Sequence, residues 1–202
     1  MNKQLQKVTL CITGATGIPI AFTLLQELLK NNCIVHVVIS KAGMITTKQE
    51  TGIALSSTPS KTKDILVTKL GLESSDNLFI YGNDDWYAPI ASGSSVNDVT
   101  IVCPCSMATL GKISSGVSDD LLVRACDVAI KERKNLILVP REMPFSPIHL
   151  ENMHKLAVIG VSIMAPTPAF YTHPKTVQDI VDFFVSRILD QAGITNQLIK
   201  RW

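Results

Sequence analysis

Short apolar runs alternate with amphipathic stretches along most of the chain. Runs such as KVTLCIT, IVHVVIS and NLILV are nearly continuous and rich in β-branched residues. Strands that are buried on both faces of a parallel sheet have this composition. The predicted strands cover residues 7–13, 34–40, 77–81, 98–104, 135–139 and 161–165.

The stretches between these runs follow helical spacing. In one of them Leu24, Leu25, Leu28 and Leu29 form an apolar stripe. The predicted helices cover residues 19–31, 42–51, 61–69, 106–114, 119–133, 149–159 and 176–191. Regular alternation of strand and helix predicts an α/β fold, in which a single domain over residues 1–202 forms a doubly wound, mostly parallel sheet. This architecture is Rossmann- or flavodoxin-like, with helices on both faces.

Composition narrows the possible functions. The net charge of +2 gives no basic excess for nucleic-acid binding. No segment reaches the roughly 18 to 20 apolar residues of a membrane span, and the N-terminal apolar run is too short for a signal peptide. The five cysteines lack paired CxxC spacing, so we expect buried thiols, including Cys103 and Cys105, in a reducing cytoplasm.

The turn Thr13–Gly17 follows the first strand and precedes a helix. Backbone N–H groups at such a turn can bind phosphate, so Gly14, Ala15 and Thr16 are candidate ligands of a nucleotide or flavin phosphate. A dinucleotide fits less well, because the second strand ends in Ser40 rather than in an acidic residue that would bind a ribose. The alternative is a tight turn without a ligand.

A second strand-to-helix turn contains Ser106, Met107, Ala108 and Thr109. Ser106 is suited to cap the helix, and the same helix N-terminus can accept an anion. Capping alone would explain the serine, so both interpretations stay open.

Arg141 and Glu142 directly follow the predicted strand NLILV. Because ligands of open α/β sheets bind at the carboxyl ends of the strands, the two side chains could hold an anion and move a proton. The alternative is an Arg–Glu pair on a surface loop.

Other cations lie on predicted helices. Arg124 and Lys131 are two turns apart, about 10 Å along the axis, and Asp127 between them could simply pair with both. Arg187 could likewise pair with Asp190. No DDxxD pattern that would hold magnesium on a diphosphate occurs, so no metal site is predicted.

Aromatic residues stand in two loops. Trp86 precedes a small, polar stretch that includes Ala91, Ser92 and Gly93, and such a loop can line a planar ligand or merely pack. Tyr171 lies in a proline-rich loop after the last strand. The chain ends in Trp202, and we expect the tail, about residues 193–202, to pack on a neighbouring subunit.

Taken together, these segments resemble the UbiX-type flavin prenyltransferases, in the wider family of flavin-containing decarboxylase-like proteins. The run RxxDVxxKER…LVPRE…HLxxM is the most specific part of the resemblance, and Thr16 departs from it because the family usually has serine there. The matching segments are TGATG, VVISKAG, DDWYAPIASGS, IVCPCSMATL, LLVRACDVAIKERKNLILVPREMPFSPIHLENM, PAFYTHP and DFFVSRILD.

The resemblance implies that a dimethylallyl group passes from dimethylallyl phosphate to N5 and C6 of reduced FMN. It also implies a homo-oligomer, in the family a dodecamer, and a UbiD-type decarboxylase that receives the prenylated FMN, with ubiquinone biosynthesis as an associated pathway. The implied FMN ligands are Gly14, Ala15, Thr16, Ser40, Ser106, Met107, Ala108, Thr109 and Arg141.

The same resemblance places the prenyl phosphate near Tyr171 and Arg187, with Arg124, Lys131 and Glu142 close by. Heterolysis of the allylic C–O bond leaves an anionic phosphate and a delocalised cation. The cationic side chains can stabilise the phosphate without a metal. Trp86, Tyr171 and Trp202 can shield the allylic cation.

Glu142 is a candidate proton donor to the leaving phosphate, or a residue that only positions Lys131. The alternative functions are an FMN-dependent decarboxylase of the same fold and a flavin-binding carrier protein.

Overall fold

The computed structural model describes residues 5–200, so the predicted contact of Trp202 lies outside the described residues. Within this range six strands form a single, wholly parallel sheet. The strands are β1 Lys7–Ile12, β2 Ile34–Ile39, β3 Leu78–Tyr81, β4 Val99–Cys105, β5 Asn135–Pro140 and β6 Ser162–Ile163.

Seven α-helices connect and cover these strands in the described part of the chain. They are α1 Ile18–Lys30, α2 Lys41–Thr51, α3 Pro59–Leu70, α4 Met107–Ser114, α5 Leu121–Lys131, α6 Pro147–Val158 and α7 Val177–Gln191. The predicted order of strands and helices is confirmed. The last strand is shorter than predicted, because only Ser162 and Ile163 pair with β5.

The strand order is β3-β2-β1-β4-β5-β6. The chain therefore winds outward in one direction from β1 to β3 and in the other from β4 to β6. The predicted α/β class is confirmed, and the carboxyl ends of β1 and β4 meet at the point where the winding direction changes. Ligand crevices of open α/β sheets form at this point.

Each face of the sheet carries its own hydrophobic core. On one face Val8, Leu10 and Ile12 pack with apolar residues of α1 and α7. On the other face Cys11 and Val102 pack with residues of α4, α5 and α6. Alternate residues of a strand point to opposite faces, so an apolar run such as VTLCI serves both cores.

The C-terminal segment runs back along its own chain. Ile194 is buried and Leu198 packs against the core formed with α1 and α7. Asn196 donates from Nδ2 to the carbonyl of Ser186 at 3.3 Å and to Oδ1 of Asp190 at 3.1 Å. Residues 193–200 are thus anchored to α7 of the same chain.

The cysteines are buried thiols, as the composition predicts. Burial raises the pKa of Cys103 to about 12. The pKa of Cys11 is raised above its ordinary value by a hydrogen bond with Cys126 and by burial. Between residues 5 and 200 no helix has the length and the apolar character that crossing a membrane requires.

Candidate functional site

The turn after β1 is tied to the end of β4. The hydroxyl of the buried Thr13 donates to the carbonyl of Pro104 at 2.8 Å and accepts the N–H of Ser106 at the same distance. The backbone N–H of Thr13 also donates to Pro104 O, at 3.2 Å. One threonine therefore brings the two predicted phosphate-binding turns side by side.

Gly14 allows a close contact between this turn and α2. The C and Cα atoms of Ala42 lie 3.2 and 3.3 Å from the position that a Cβ of residue 14 would take. Ala42 stands in the first turn of α2, and the preceding Ser40 caps that helix by accepting the N–H of Gly43 at 3.0 Å. The turns after β1 and β2 consequently form one continuous surface.

Ser106 caps α4 as predicted. Its Oγ accepts the N–H of Thr109 at 3.2 Å and lies 2.9 Å from the hydroxyl of Thr109. The first N–H groups of a helix have no partner within the helix, and here these are the N–H groups of Met107 and Ala108. The end of β4 therefore offers hydroxyl and N–H groups to an anion.

A cavity of about 450 Å³ opens beside Ser40. At this cavity the loop of Trp86 lies at the carboxyl edge of the sheet, where the carbonyl of Asn83 accepts the N–H of Leu121 at 2.7 Å. Asp119 on its rim is paired with Lys112, whose hydrogen bond lowers the pKa of that carboxyl. The lining residues are Ser40, Lys41, Ala42, Asn83, Asp84, Trp86, Asp119 and Asp120.

Glu50 is a residue of this edge that the sequence analysis missed. It lies on α2, and its Oε2 accepts the N–H groups of Gly17 at 3.1 Å and of Ile18 at 2.9 Å. A carboxylate of the chain itself thus occupies the N-terminus of α1. A phosphate at the Gly14–Thr16 turn would have to use other donors, such as the hydroxyl of Thr16. No local motif indicates this contact, because Glu50 and Gly17 lie on different elements.

Arg141 and Glu142 lie at the same edge, immediately after β5. The N–H of Arg141 donates to the carbonyl of Cys105 at 3.3 Å, which joins the ends of β5 and β4. Glu142 accepts the N–H of Met143 at 3.1 Å. Arg141 and Glu142 do not pair with each other, and within residues 5–200 Arg141 has no carboxylate partner.

Lys131 lies far from this edge in the same chain. α5 begins beside the cavity at Leu121 and runs back toward the start of β5. Lys131, at the other end of this helix, therefore lies about 15 Å from Leu121 along the helix axis. There it forms an ion pair with Glu132, over Gly93. Arg124, nearer the start of α5, pairs with Asp127 at 2.8 Å and donates from Nε to the carbonyl of Ala91 at 3.2 Å.

Tyr171 and Arg187 lie on the outer side of the molecule. Tyr171 belongs to the 3₁₀ turn Phe170–Thr172, and its ring meets that of Phe183 edge-on at 6.3 Å between centroids. It lines a cavity of about 600 Å³ together with Leu198 and other residues of the tail. Arg187, ten residues into α7, pairs with Asp190 at 3.1 Å.

One chain therefore assembles only part of the predicted site. The predicted flavin ligands lie together at the carboxyl edge, and we call this group of residues the flavin cradle. Glu142 lies at the same edge. Arg124, Lys131 and Arg187, which we call the outer cations, lie on helix surfaces. Among residues 5–200 no group of three or more His, Cys, Asp or Glu side chains is arranged to hold a metal ion. The cradle consists of Gly14, Ala15, Thr16, Ser40, Ser106, Met107, Ala108, Thr109 and Arg141.

The comparisons with known proteins agree with this geometry. The model of the Flavoprotein family matches residues 1–189. The chain is 46% identical, over 97% of its own length and 98% of the relative's, to the flavin prenyltransferase UbiX of Methanocaldococcus jannaschii. The chain belongs to the Flavoprotein family and, within it, to the UbiX-type flavin prenyltransferases.

Solved structures of related proteins have a similar fold. The crystal structure of AnUbiX (PadA1) in complex with FMN and dimethylallyl pyrophosphate has a TM-score of 0.87 at 36% identity, and covers 98% of both chains. A dodecameric FMN-dependent UbiX-like decarboxylase from Escherichia coli O157:H7 has a TM-score of 0.86 at 42% identity, covering 98% of this chain and 99% of that one.

Proposed function

We propose that this protein transfers a dimethylallyl group from dimethylallyl phosphate to N5 and C6 of reduced FMN and so makes prenylated FMN. The observation that carries the proposal is the flavin cradle itself, where Thr13 joins the turn after β1 to the turn after β4, and where Arg141 has no carboxylate partner among residues 5–200. The 46% sequence identity to a flavin prenyltransferase, over 97% of this chain, supports the same activity.

The donors at the cradle fit FMN. Ser40, Ser106 and Thr109 present hydroxyls, the start of α4 presents N–H groups, and Arg141 presents a guanidinium that can bind the flavin or a phosphate. Reduced FMN supplies the nucleophilic ring atoms of the reaction. The side chain of Trp86 at the adjacent cavity can form a wall against a planar ring.

The charged residues match the departure of a phosphate. Arg124, Lys131, Arg141 and Arg187 stabilise the negative charge that develops on the leaving oxygen. Glu142, two residues past β5, donates a proton to the leaving phosphate, which can then accept the ring proton. Tyr171 and Trp86 shield the allylic cation with their π faces.

The separation of the outer cations from the cradle favours a site shared between copies. Within one chain Lys131 and Glu142 lie near opposite edges of the sheet, and a lysine side chain does not bridge that distance. A second copy can bring Lys131 and Arg187 to the cradle of the first. This arrangement agrees with the dodecameric state of the relative from Escherichia coli O157:H7.

Exposed apolar side chains offer surface for such contacts. On and near α6, Ile148, Leu150, Val158 and Ile159 are more than half exposed. Apolar side chains exposed to this degree favour an interface between subunits. We assign this helix to homo-oligomer contacts, together with the C-terminal tail, about residues 193–202, of which residues 193–200 also pack on α7 of their own chain. We propose that the protein acts in the cytoplasm and that a UbiD-type decarboxylase receives its product, prenylated FMN.

The decisive experiment is to incubate the protein anaerobically with reduced FMN and dimethylallyl phosphate, without metal, and to weigh the flavin. A mass increase of one five-carbon prenyl unit is expected. Unchanged FMN would overturn the proposal. Glu142→Gln should form the adduct at least about 100-fold more slowly, since the proton donor is lost.

A decarboxylase is the second candidate, because the relative from Escherichia coli O157:H7 carries that name at 42% identity. Such an enzyme would release carbon dioxide from an acid and leave the mass of FMN unchanged. The same incubation, with an added aromatic or acrylic acid and detection of carbon dioxide, separates the two functions.

A further inference from the structure

Each of the three outer cations is paired with a carboxylate of its own helix or of the residue that follows it. Arg124 pairs with Asp127 at 2.8 Å, and Arg187 pairs with Asp190 at 3.1 Å. Lys131 pairs with the adjacent Glu132. Three positive charges are therefore matched by three negative charges, whereas Arg141 in the flavin cradle has no such partner within residues 5–200.

These pairs are each held by a third group of the fold. The Nε of Arg124 donates to the carbonyl of Ala91 at 3.2 Å. Asp190 accepts Arg187 with Oδ2, while its Oδ1 accepts the amide of Asn196, also at 3.1 Å. Asn196 is buried, so the tail fixes this carboxylate from the side opposite the arginine.

Gly93 fixes the third pair. A Cβ at residue 93 would stand 2.6 Å from Nζ of Lys131 and would also overlap the carboxylate of Glu132. The absence of a side chain thus lets the pair lie against the backbone of the Gly93–Ser95 turn. By contrast, the pair of Lys30 with Glu27 has the i,i+3 spacing of the two arginine pairs, but its lysine side chain is 70% exposed.

From this we infer that Asp127, Glu132 and Asp190 are specificity-determining residues, which limit the negative charge of the prenyl donor that the outer cations accept. The inference rests on the proposed function. Because each outer cation is partly neutralised by its carboxylate, the site suits the charge of a monophosphate. The additional negative charge of a diphosphate is repelled by the three carboxylates. Since AnUbiX was crystallised with dimethylallyl pyrophosphate, the fold itself can admit a diphosphate, and the selection is one of degree.

The test compares dimethylallyl phosphate with dimethylallyl diphosphate as donors for the full-length protein loaded with reduced FMN. The variants are Asp127→Asn, Glu132→Gln and Asp190→Asn, which keep the shape of the side chain and remove its charge. The wild type should prefer the monophosphate. Each variant should shift the ratio of kcat/KM toward the diphosphate by about two- to tenfold.

Glu27→Gln, which breaks the matched pair on α1, is the control and should leave the ratio unchanged. An unchanged ratio in all three variants, or a wild type that prefers the diphosphate, would overturn the inference while the proposed function stands. If neither donor is used by the wild type, the proposed function itself fails.

A binding measurement keeps the inference testable without turnover. Titration calorimetry with inorganic phosphate and pyrophosphate should show the same shift of preference in the three variants. A melting temperature and an FMN titration on each variant verify that it is folded. Equal relative affinities in wild type and folded variants contradict the inference.

Discussion

The flavin cradle and the outer cations are built on different principles. The cradle is formed within one chain, by buried hydrogen bonds between strand ends, such as those of Thr13 with Pro104 and Ser106. The outer cations lie on exposed helix surfaces, where each has a carboxylate partner. In the proposed reaction, a single chain would supply the FMN ligands, whereas the phosphate of the prenyl donor would need cationic groups that one chain holds apart from the cradle.

The strongest test of this difference mixes two defective proteins. Arg141→Ala and Lys131→Ala should each lower the rate of FMN prenylation at least about 100-fold, because each removes a preorganised positive charge. In co-expressed mixed oligomers, about a quarter of the sites should regain function if random mixing joins the Arg141 of one copy with the Lys131 of another. The recovery of function is measured as the rate at which the mixed oligomers form prenylated FMN.

Absence of any recovery, with mixed oligomers verified by differently tagged copies, would mean that both residues act from the same chain. In that case α5 would have to rearrange, since its axis now separates Lys131 from the cradle.

The second prediction concerns the close contact under the cradle. Gly14→Ala should lower the free energy of unfolding by about 1–3 kcal/mol and weaken FMN binding, because the new Cβ overlaps Ala42. Urea unfolding and an FMN titration measure the two effects. Gly82→Ala is the matched control, since no atom of the described residues lies within 4 Å of its added Cβ. Normal FMN affinity in Gly14→Ala would show that this contact does not shape the cradle.

The third prediction removes the hydroxyl that joins β1 to β4. Thr13→Val keeps the shape of the side chain but leaves the N–H of Ser106 without its acceptor, and the carbonyl of Pro104 with only the backbone N–H of Thr13. We expect a loss of about 1–2 kcal/mol in the free energy of unfolding and weaker FMN binding. The KM for dimethylallyl phosphate should change less than the FMN affinity. A larger effect on this KM would show that cradle and outer cations are coupled.

The smallest effect is a dependence of stability on pH through His36. Burial, with the nearby positive charge of Lys7, lowers the pKa of this β2 histidine from 6.5 to about 4. The unfolded chain therefore binds the proton more tightly, and stability falls as pH drops below about 6.5, until it levels off near 4. Between pH 7 and 5.5 the loss should be about 1 kcal/mol.

Urea unfolding at several pH values, compared with His36→Gln, isolates this contribution. The wild type should lose stability over that interval by more than the variant does. Equal slopes would show that the pKa of His36 is the same in the folded and the unfolded chain, despite its burial and its contact with Tyr81.

Much of the fold was predictable from local patterns. Apolar runs marked β1, β2, β4 and β5 within one or two residues, because strands covered on both faces must be apolar throughout. Ser106 correctly predicted the start of α4, since a capping hydroxyl accepts the N–H groups of the next turn. The burial of the cysteines followed from the same apolar runs.

Contacts between distant residues could not be read from such patterns. Glu50 reaches Gly17 only because α2 packs beside the start of α1, and Asn196 reaches Asp190 only because the tail folds back on α7. The spacing of Arg124 and Lys131 predicted a common helix, but not the direction in which that helix leaves the cradle. Neither did it reveal that Lys131 would pair with Glu132 rather than Asp127.

The sequence by itself therefore determined the order of strands and helices, the caps and the identity of the charged residues, because these depend on neighbours within a few positions. The tertiary structure decided which of these residues meet. Strand order placed Gly14, Ser40, Ser106 and Arg141 at one edge. α5 connects the parallel strands β4 and β5, and such a helix must run in the direction opposite to the strands. Its direction therefore places Lys131 near the amino-terminal ends of the strands, away from the cradle.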